Sequence, residues 1–234
     1  MRRPLAVRAG AVLATLAWGL AVAAGPLASA NDGEPAGAAN AAPMDRGQAL
    51  SALESAEALE RRLAALRLAN AALPEDAAAL VNALRDEDEA VRDLAEGALW
   101  SLWGRSGDPG VDARLRRGTA LMGEGQLDES IAVFSAIITE RPDFAEAWNK
   151  RATALFLKGD YRGSMADCAE VDRRNPRHFG MMAGMGQMWL RLGDLEKAEG
   201  WLTRALQINP NMTSVAAMLE AIRAERHRRG RRDT

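Results

Sequence analysis

Four methionines, Met181, Met182, Met185 and Met188, fall within eight residues. Their thioethers are soft ligands of the kind that suit Cu(I). Met181, Met185 and Met188 recur at steps of four and three, which places them on one face of a helix. Packing explains the same spacing, because methionine fills irregular gaps between helices. The only cysteine, Cys168, could act as a nucleophile with His178 ten residues on. It stands among apolar second-helix positions, where burial raises a thiol's pKa and quietens it. His178, in NPRHFG, reads as a hydrogen-bonding residue between structural units, since no second catalytic group accompanies it. Six arginines between Arg223 and the C-terminus, against Glu225 and Asp233, could touch anionic headgroups or acidic proteins. They equally suit a solvated helix end. No phosphate loop, metal-ligand cluster or nucleophile–base pair appears. The expectation is therefore no enzyme, no cofactor and no metal site.

The first 30 of the 234 residues read as an address. Arg2, Arg3 and Arg8 precede an apolar run from Ala9 to Ala24, and Ala28-Ser29-Ala30 offers a signal-peptidase cut. The run is shorter than the roughly 20 residues that span a bilayer. Removing those three arginines and no acid takes the net charge from −2 to −5. An exported, periplasmic location is hence the expectation for residues 31–234, without a stable membrane span after cleavage. A mildly acidic chain is a poor nucleic-acid binder. One cysteine excludes an intramolecular disulfide framework.

Residues 31–43 lack leucine, valine and aromatics and read as a flexible leader. Within the helical segment 44–110, Leu50, Leu53, Leu59, Leu63 and Leu66 predict one long helix over 48–72, stopped before Pro74. A shorter helix over 75–85 carries Leu80, Val81 and Leu84. After Asp86-Glu87-Asp88, a third helix over 89–103 carries Val91, Leu94, Ala95, Ala98, Leu99 and Leu102. The stretch LVNALRDEDEAVRDLAEGALWSL resembles a single HEAT-type helical hairpin. Trp100 and Trp103, neighbours on the third helix, would cover the exposed end of the next core.

A period of 34 follows. It relates Pro142, Pro176 and Pro210, then Gly125, Gly159 and Gly193, then Ser130, Ser164 and Ala198, then Phe134, Cys168 and Leu202. Such a period means one helix pair stacked on copies of itself. Glycine permits the turn, the small residues let paired helices approach, and proline stops the second helix. These positions resemble those of the tetratricopeptide repeat, in three units at 111–144, 145–178 and 179–212. Trp148 matches the family's first-helix signature, while Leu121, Leu155 and Trp189 stand where tyrosine is usual. Residues 213–234 form a capping helix and basic tail, with Val215, Met218, Leu219 and Ile222 making the apolar stripe that closes such an array. The expected fold is all-α: a right-handed α-solenoid of stacked hairpins, continuous with the N-terminal helices.

In the family, first helices of successive units line a concave groove for an extended peptide or a partner's helix. That resemblance places Arg116, Thr119 and Met122 in the groove from the first unit. Asn149, Lys150, Thr153 and Phe156 come from the second, and Gln187 and Arg191 from the third. The family's two-carboxylate clamp is absent, since Leu115, Thr119, Lys150, Gly180 and Gly184 occupy its places. WNKRATALF with RNPRHFG resembles bacterial exported members. The expected function is a protein-binding scaffold whose partner is another protein. The rival readings are a self-associating structural envelope protein, through the groove or the tryptophan end, and methionine-based Cu(I) handling.

Overall fold

The computed structural model describes residues 44–231. The expected signal peptide 1–30 and leader 31–43 lie outside the described residues. Among the described residues the chain is all-helical: α1 (Arg46–Ala52), α2 (Ala58–Ala71), a 3-10 turn (Pro74–Asp76), α3 (Ala77–Ala83) and α4 (Glu89–Trp103). There follow α5 (Pro109–Gly123), α6 (Leu127–Glu140), α7 (Ala145–Lys158), α8 (Tyr161–Arg174), α9 (Phe179–Arg191), α10 (Leu195–Ile208) and α11 (Thr213–Gly230).

The single helix expected over 48–72 is two, broken between Ala52 and Ala58 without glycine or proline. Arg61 makes the break. Its Nη1 donates to the carbonyls of Ser55 and Ala56 at 2.9 and 3.0 Å. Nε and Nη2 grip both oxygens of Asp86 at 2.8 and 2.9 Å. The hydroxyl of Ser55 adds a local turn by accepting from the Glu57 N–H at 3.1 Å. A buried guanidinium with five donors thus satisfies the carbonyls an unwound helix exposes. The helix expected over 75–85 is shorter, because Pro74 opens a 3-10 turn and α3 spans only two turns. The third matches expectation, with the Asp88 carboxylate accepting from the Val91 N–H as its N-cap. α4 packs against α2 even more extensively than against α3.

From α5 onward the period of 34 becomes geometry. Gly125, Gly159 and Gly193 have φ of +79°, +89° and +81°, so each turn uses the left-handed region that glycine enters freely. The paired helices fit by size. A Cβ on Gly118 would lie 2.6 Å from Phe134 Cε1, and one on Gly186 would lie 2.4 Å from Leu202 Cδ2. The middle unit has Ala152 at the equivalent place, with the smaller Cys168 opposite in register, both buried. Ser130 and Ser164 are buried and donate across the pair to the carbonyls of Gly118 and Ala152 at 2.9 and 2.7 Å.

This fit gives a test. Gly186→Ala adds about 1 kcal/mol of helix propensity but loses about 1–3 kcal/mol to overpacking. In urea titrations the single variant should be less stable than the parent. In a Leu202→Ala background, where the clash is gone, the same change should stabilise. Stabilisation in both backgrounds would show that Gly186 is not held by packing.

The N-terminal helices do not extend the stack as expected. They lie along its side, because α4 crosses the junctions between units in reverse order. Arg141, Asn175 and Asn209 mark three successive junctions, 34 residues apart. Glu96 accepts from Asn209 Nδ2 at 2.9 Å at the last. Trp103 stacks on His178 at the middle one, with centroids 4.6 Å apart. The Ser106 carbonyl accepts from Arg141 Nη2 at 3.3 Å at the first. Leu84 and Arg85 reinforce the far end, through Asn211 at 2.7 Å and the Ile208 carbonyl at 3.3 Å. Trp100 and Trp103 therefore cover the second junction, each packed on Phe179, rather than the end of the array. Phe179 is the one member of the third unit fully buried in the core cluster of the N-terminal helices.

The closing helix α11 buries Val215, Leu219 and Ile222. Its arginines are partnered: Arg223 and Arg226 bind Glu199, and Arg228 and Arg229 bind Glu225.

Candidate peptide-binding groove

The first helices of the units, α5, α7 and α9, lie side by side in chain order. Residues spaced by 34 therefore recur at equivalent places along one face: Arg116 with Lys150, then Thr119 with Thr153 and Gln187, then Met122 with Phe156. The structure divides the nine predicted residues into two layers. Met122, Asn149, Thr153 and Phe156 are buried. Thr119, Lys150 and Gln187 are half-buried, and Arg116 and Arg191 are exposed.

The lower layer is occupied by internal contacts. Met122 joins Val111, Leu115, Phe134 and Ile137 in the core of the first unit. Phe156 lies 5.5 Å from the Tyr161 ring and beneath the Arg191 guanidinium at 5.1 Å, a cation–π contact between the second and third units. Thr119 and Thr153 turn their hydroxyls onto the carbonyls four residues back, both at 2.9 Å. Asn149 donates to Glu146 Oε2 at 3.1 Å.

Glu146 is the hub beneath the groove, a role the spacing of the sequence did not reveal. The same oxygen meets His178 Nε2 at 3.0 Å, and the other meets Lys150 Nζ at 3.2 Å. His178 Nδ1 accepts from the Met181 N–H at 3.0 Å and so caps α9. With Nδ1 as acceptor, the proton sits on Nε2 and is donated to Glu146. Burial pushes the Glu146 carboxyl up, but Lys150 and His178 outweigh it and hold its pKa at about 2. It is therefore a fixed anion that balances Lys150. Both nitrogens of His178 are committed, and the ring is fully buried.

The upper layer differs. Arg116 and Arg191 have no ion-pair partner among the described residues, so two unbalanced cations flank Gln187 and the Glu146–Lys150 pair. Gln187 supplies a donor and an acceptor. This face can bind noncovalently an extended backbone that carries negative charge.

The other candidate chemistries lie in the interior. Met181, Met182, Met185 and Met188 are all buried, as packing requires. Cys168 is buried, and burial pushes its thiol up, away from a reactive thiolate. No cluster of three or more His, Cys, Asp or Glu that could hold a metal ion occurs among the described residues. No helix among them is long and apolar enough to cross a membrane.

A family model for the tetratricopeptide repeat matches residues 115–176 and again 169–213. The chain carries tetratricopeptide repeats over residues 115–213. It is 33% identical over 127 residues to a TPR repeat-containing protein of Rhizobium etli, covering 54% of this chain and 61% of that protein. It is 27% identical over 101 residues to human DnaJ homolog subfamily C member 3, covering 43% of this chain and 20% of that one. The chain thus spans about three fifths of the first relative and a fifth of the second. Among solved structures, the Sgt2 TPR domain from Aspergillus fumigatus superposes with a TM-score of 0.50 at 16% identity, over 53% of this chain and 83% of that one. That likeness concerns the fold.

Proposed function

We propose that the chain is an exported, non-enzymatic scaffold that holds an acidic, extended segment of another protein against α5, α7 and α9. The supporting observation is the pair of cations, Arg116 and Arg191, left unbalanced on a face whose lower layer is already satisfied. Binding would use charge-assisted hydrogen bonds from these arginines and backbone hydrogen bonds at Gln187. Chemistry on the segment is not part of the reading, because His178 and Cys168 are buried and committed to the fold. Export rests on the charged start, apolar run and small-residue cut of residues 1–30.

The test places a photoreactive residue at half-buried Gln187, with exposed Ala169 on α8 as the control, inside the producing cell. A partner should be captured from position 187 only. Capture should disappear in Arg116→Glu/Arg191→Glu and persist in Arg162→Glu, which lies on α8. Equal capture from both positions, or capture indifferent to the groove charges, would reject the groove. For export, the envelope fraction should contain a chain beginning at Asn31. A chain retaining Met1 in the cytoplasm would reject that part alone.

A further inference from the structure

α2 presents an apolar stripe that nothing among the described residues covers. Leu59 is 65% exposed, Leu63 50% and Leu66 50%, while its opposite face buries Ala64, Ala65 and Leu68. At 100° per residue, positions 59, 63, 66 and 70 fall within about 60° of one another around the helix. Leu73, 45% exposed, continues the line just past the helix end. Spacings of four and three are those of a coiled-coil seam.

The charges beside the stripe indicate what covers it. Two cations of α2 are used internally, Arg61 on Asp86 and Arg62 on Asp88. Glu60 and Arg67 have no ion-pair partner among the described residues. Glu60 only accepts from the Ser55 hydroxyl, and Arg67 donates one hydrogen bond to the Met44 carbonyl. They sit seven residues apart on the same flank, one near each end of the helix.

From this arrangement we propose that α2 pairs antiparallel with α2 of a second copy of the chain. The two-fold arrangement sets Leu63 of one copy against Leu66 of the other. It also brings Glu60 beside Arg67 twice, so both unpaired charges find opposite partners. A parallel pair would instead bring Arg62 toward Arg67, like against like. The seam is short, and a contact this small lies at or below the roughly 1,200 Å² of stable interfaces. The dimer is therefore weak. This surface is separate from the groove, and the inference does not depend on the groove being a binding site.

Sedimentation equilibrium of the chain as purified from the producing cell should show dimer fraction rising with concentration, and Leu63→Glu should abolish it. Glu60→Arg and Arg67→Glu should each weaken the dimer about tenfold, and the two together should restore it. These residues are exposed, so the variants fold. Orientation is read by cysteine trapping, because the only native thiol is buried. Leu59→Cys mixed with Asn70→Cys should give the mixed disulfide, with little linkage in either variant alone. A monomer up to several hundred micromolar would overturn the proposal, as would a dimer indifferent to Leu63→Glu. Homodisulfides from each variant alone would overturn the antiparallel arrangement. A monomer that binds anionic lipid vesicles only with Leu63 intact would assign the stripe to a membrane surface instead.

Discussion

Glu146→Ala is expected to lower the unfolding free energy by about 3–5 kcal/mol, because it leaves a buried, bonded network without its only anion. Three partners lose their acceptor together: Asn149 at 3.1 Å, His178 at 3.0 Å and Lys150 at 3.2 Å. Glu146→Gln keeps the shape and an acceptor for His178 but removes the charge, so it isolates the ionic part. Its pH dependence has a fixed sign. The carboxyl titrates near 4.5 when exposed and at about 2 when folded, so the unfolded chain takes up the proton first. The contribution, about 3 kcal/mol by the size of that shift, is complete above 4.5. It is lost as the pH falls from there through about 2. In urea titrations the gap between parent and Glu146→Gln should be widest at pH 7 and fall to about a quarter of that by pH 2.5. A gap that stays constant across this range would show that the charge of Glu146 contributes nothing.

The repeats were legible in the sequence because their determinants are local and occur three times. The positive φ of Gly125, Gly159 and Gly193 is a property of single residues, and each copy corroborates the others. The break in the first helix was not legible, because Leu53–Glu57 contains no breaker and Arg61 reaches Asp86, 25 residues away, to stabilise it. The position of α4 was further from view. It depends on a glutamate meeting an asparagine 113 residues later, and on two tryptophans whose partners, His178 and Phe179, lie where the second unit meets the third. Amphipathic periodicity says which face of a helix is buried but not against what.

The groove shows the same limit at the level of single residues. Family position put Arg116, Asn149, Lys150 and Gln187 on one face, and the structure brings them to the first helices as expected. Depth was not legible. Asn149 is 6% exposed because Glu146, bonded to His178 at the N-cap of the next unit's first helix, draws its amide inward. A carboxylate early in one first helix and a histidine just before the next, 32 residues on, are the only trace of that link in the sequence.

Trp103→Ala should test whether the N-terminal helices and the repeats form one cooperative body, at a cost of about 3 kcal/mol. The ring stacks on His178 at 4.6 Å and leans on Phe179 at 5.1 Å, so its loss opens the junction between the second and third units. Phe179 is fully buried in the core of the N-terminal helices, so the two halves share hydrophobic surface and cannot melt independently. Urea unfolding of the parent, followed by tryptophan fluorescence and by helical circular dichroism, should give one coincident transition. Trp103→Ala and Phe179→Ala should be non-additive by about 0.5–3 kcal/mol, as expected for residues in contact. Trp148 provides the contrast. Its ring lies partly exposed near Arg151 and Arg174, at 5.1 and 4.7 Å, and Trp148→Ala should cost less and add to Phe179→Ala. If Trp103→Ala and Phe179→Ala also add, or the two probes separate in the parent, then α4 is only appended to the repeats. In that case Glu96, Trp103 and Ser106 do not hold the three junctions in register.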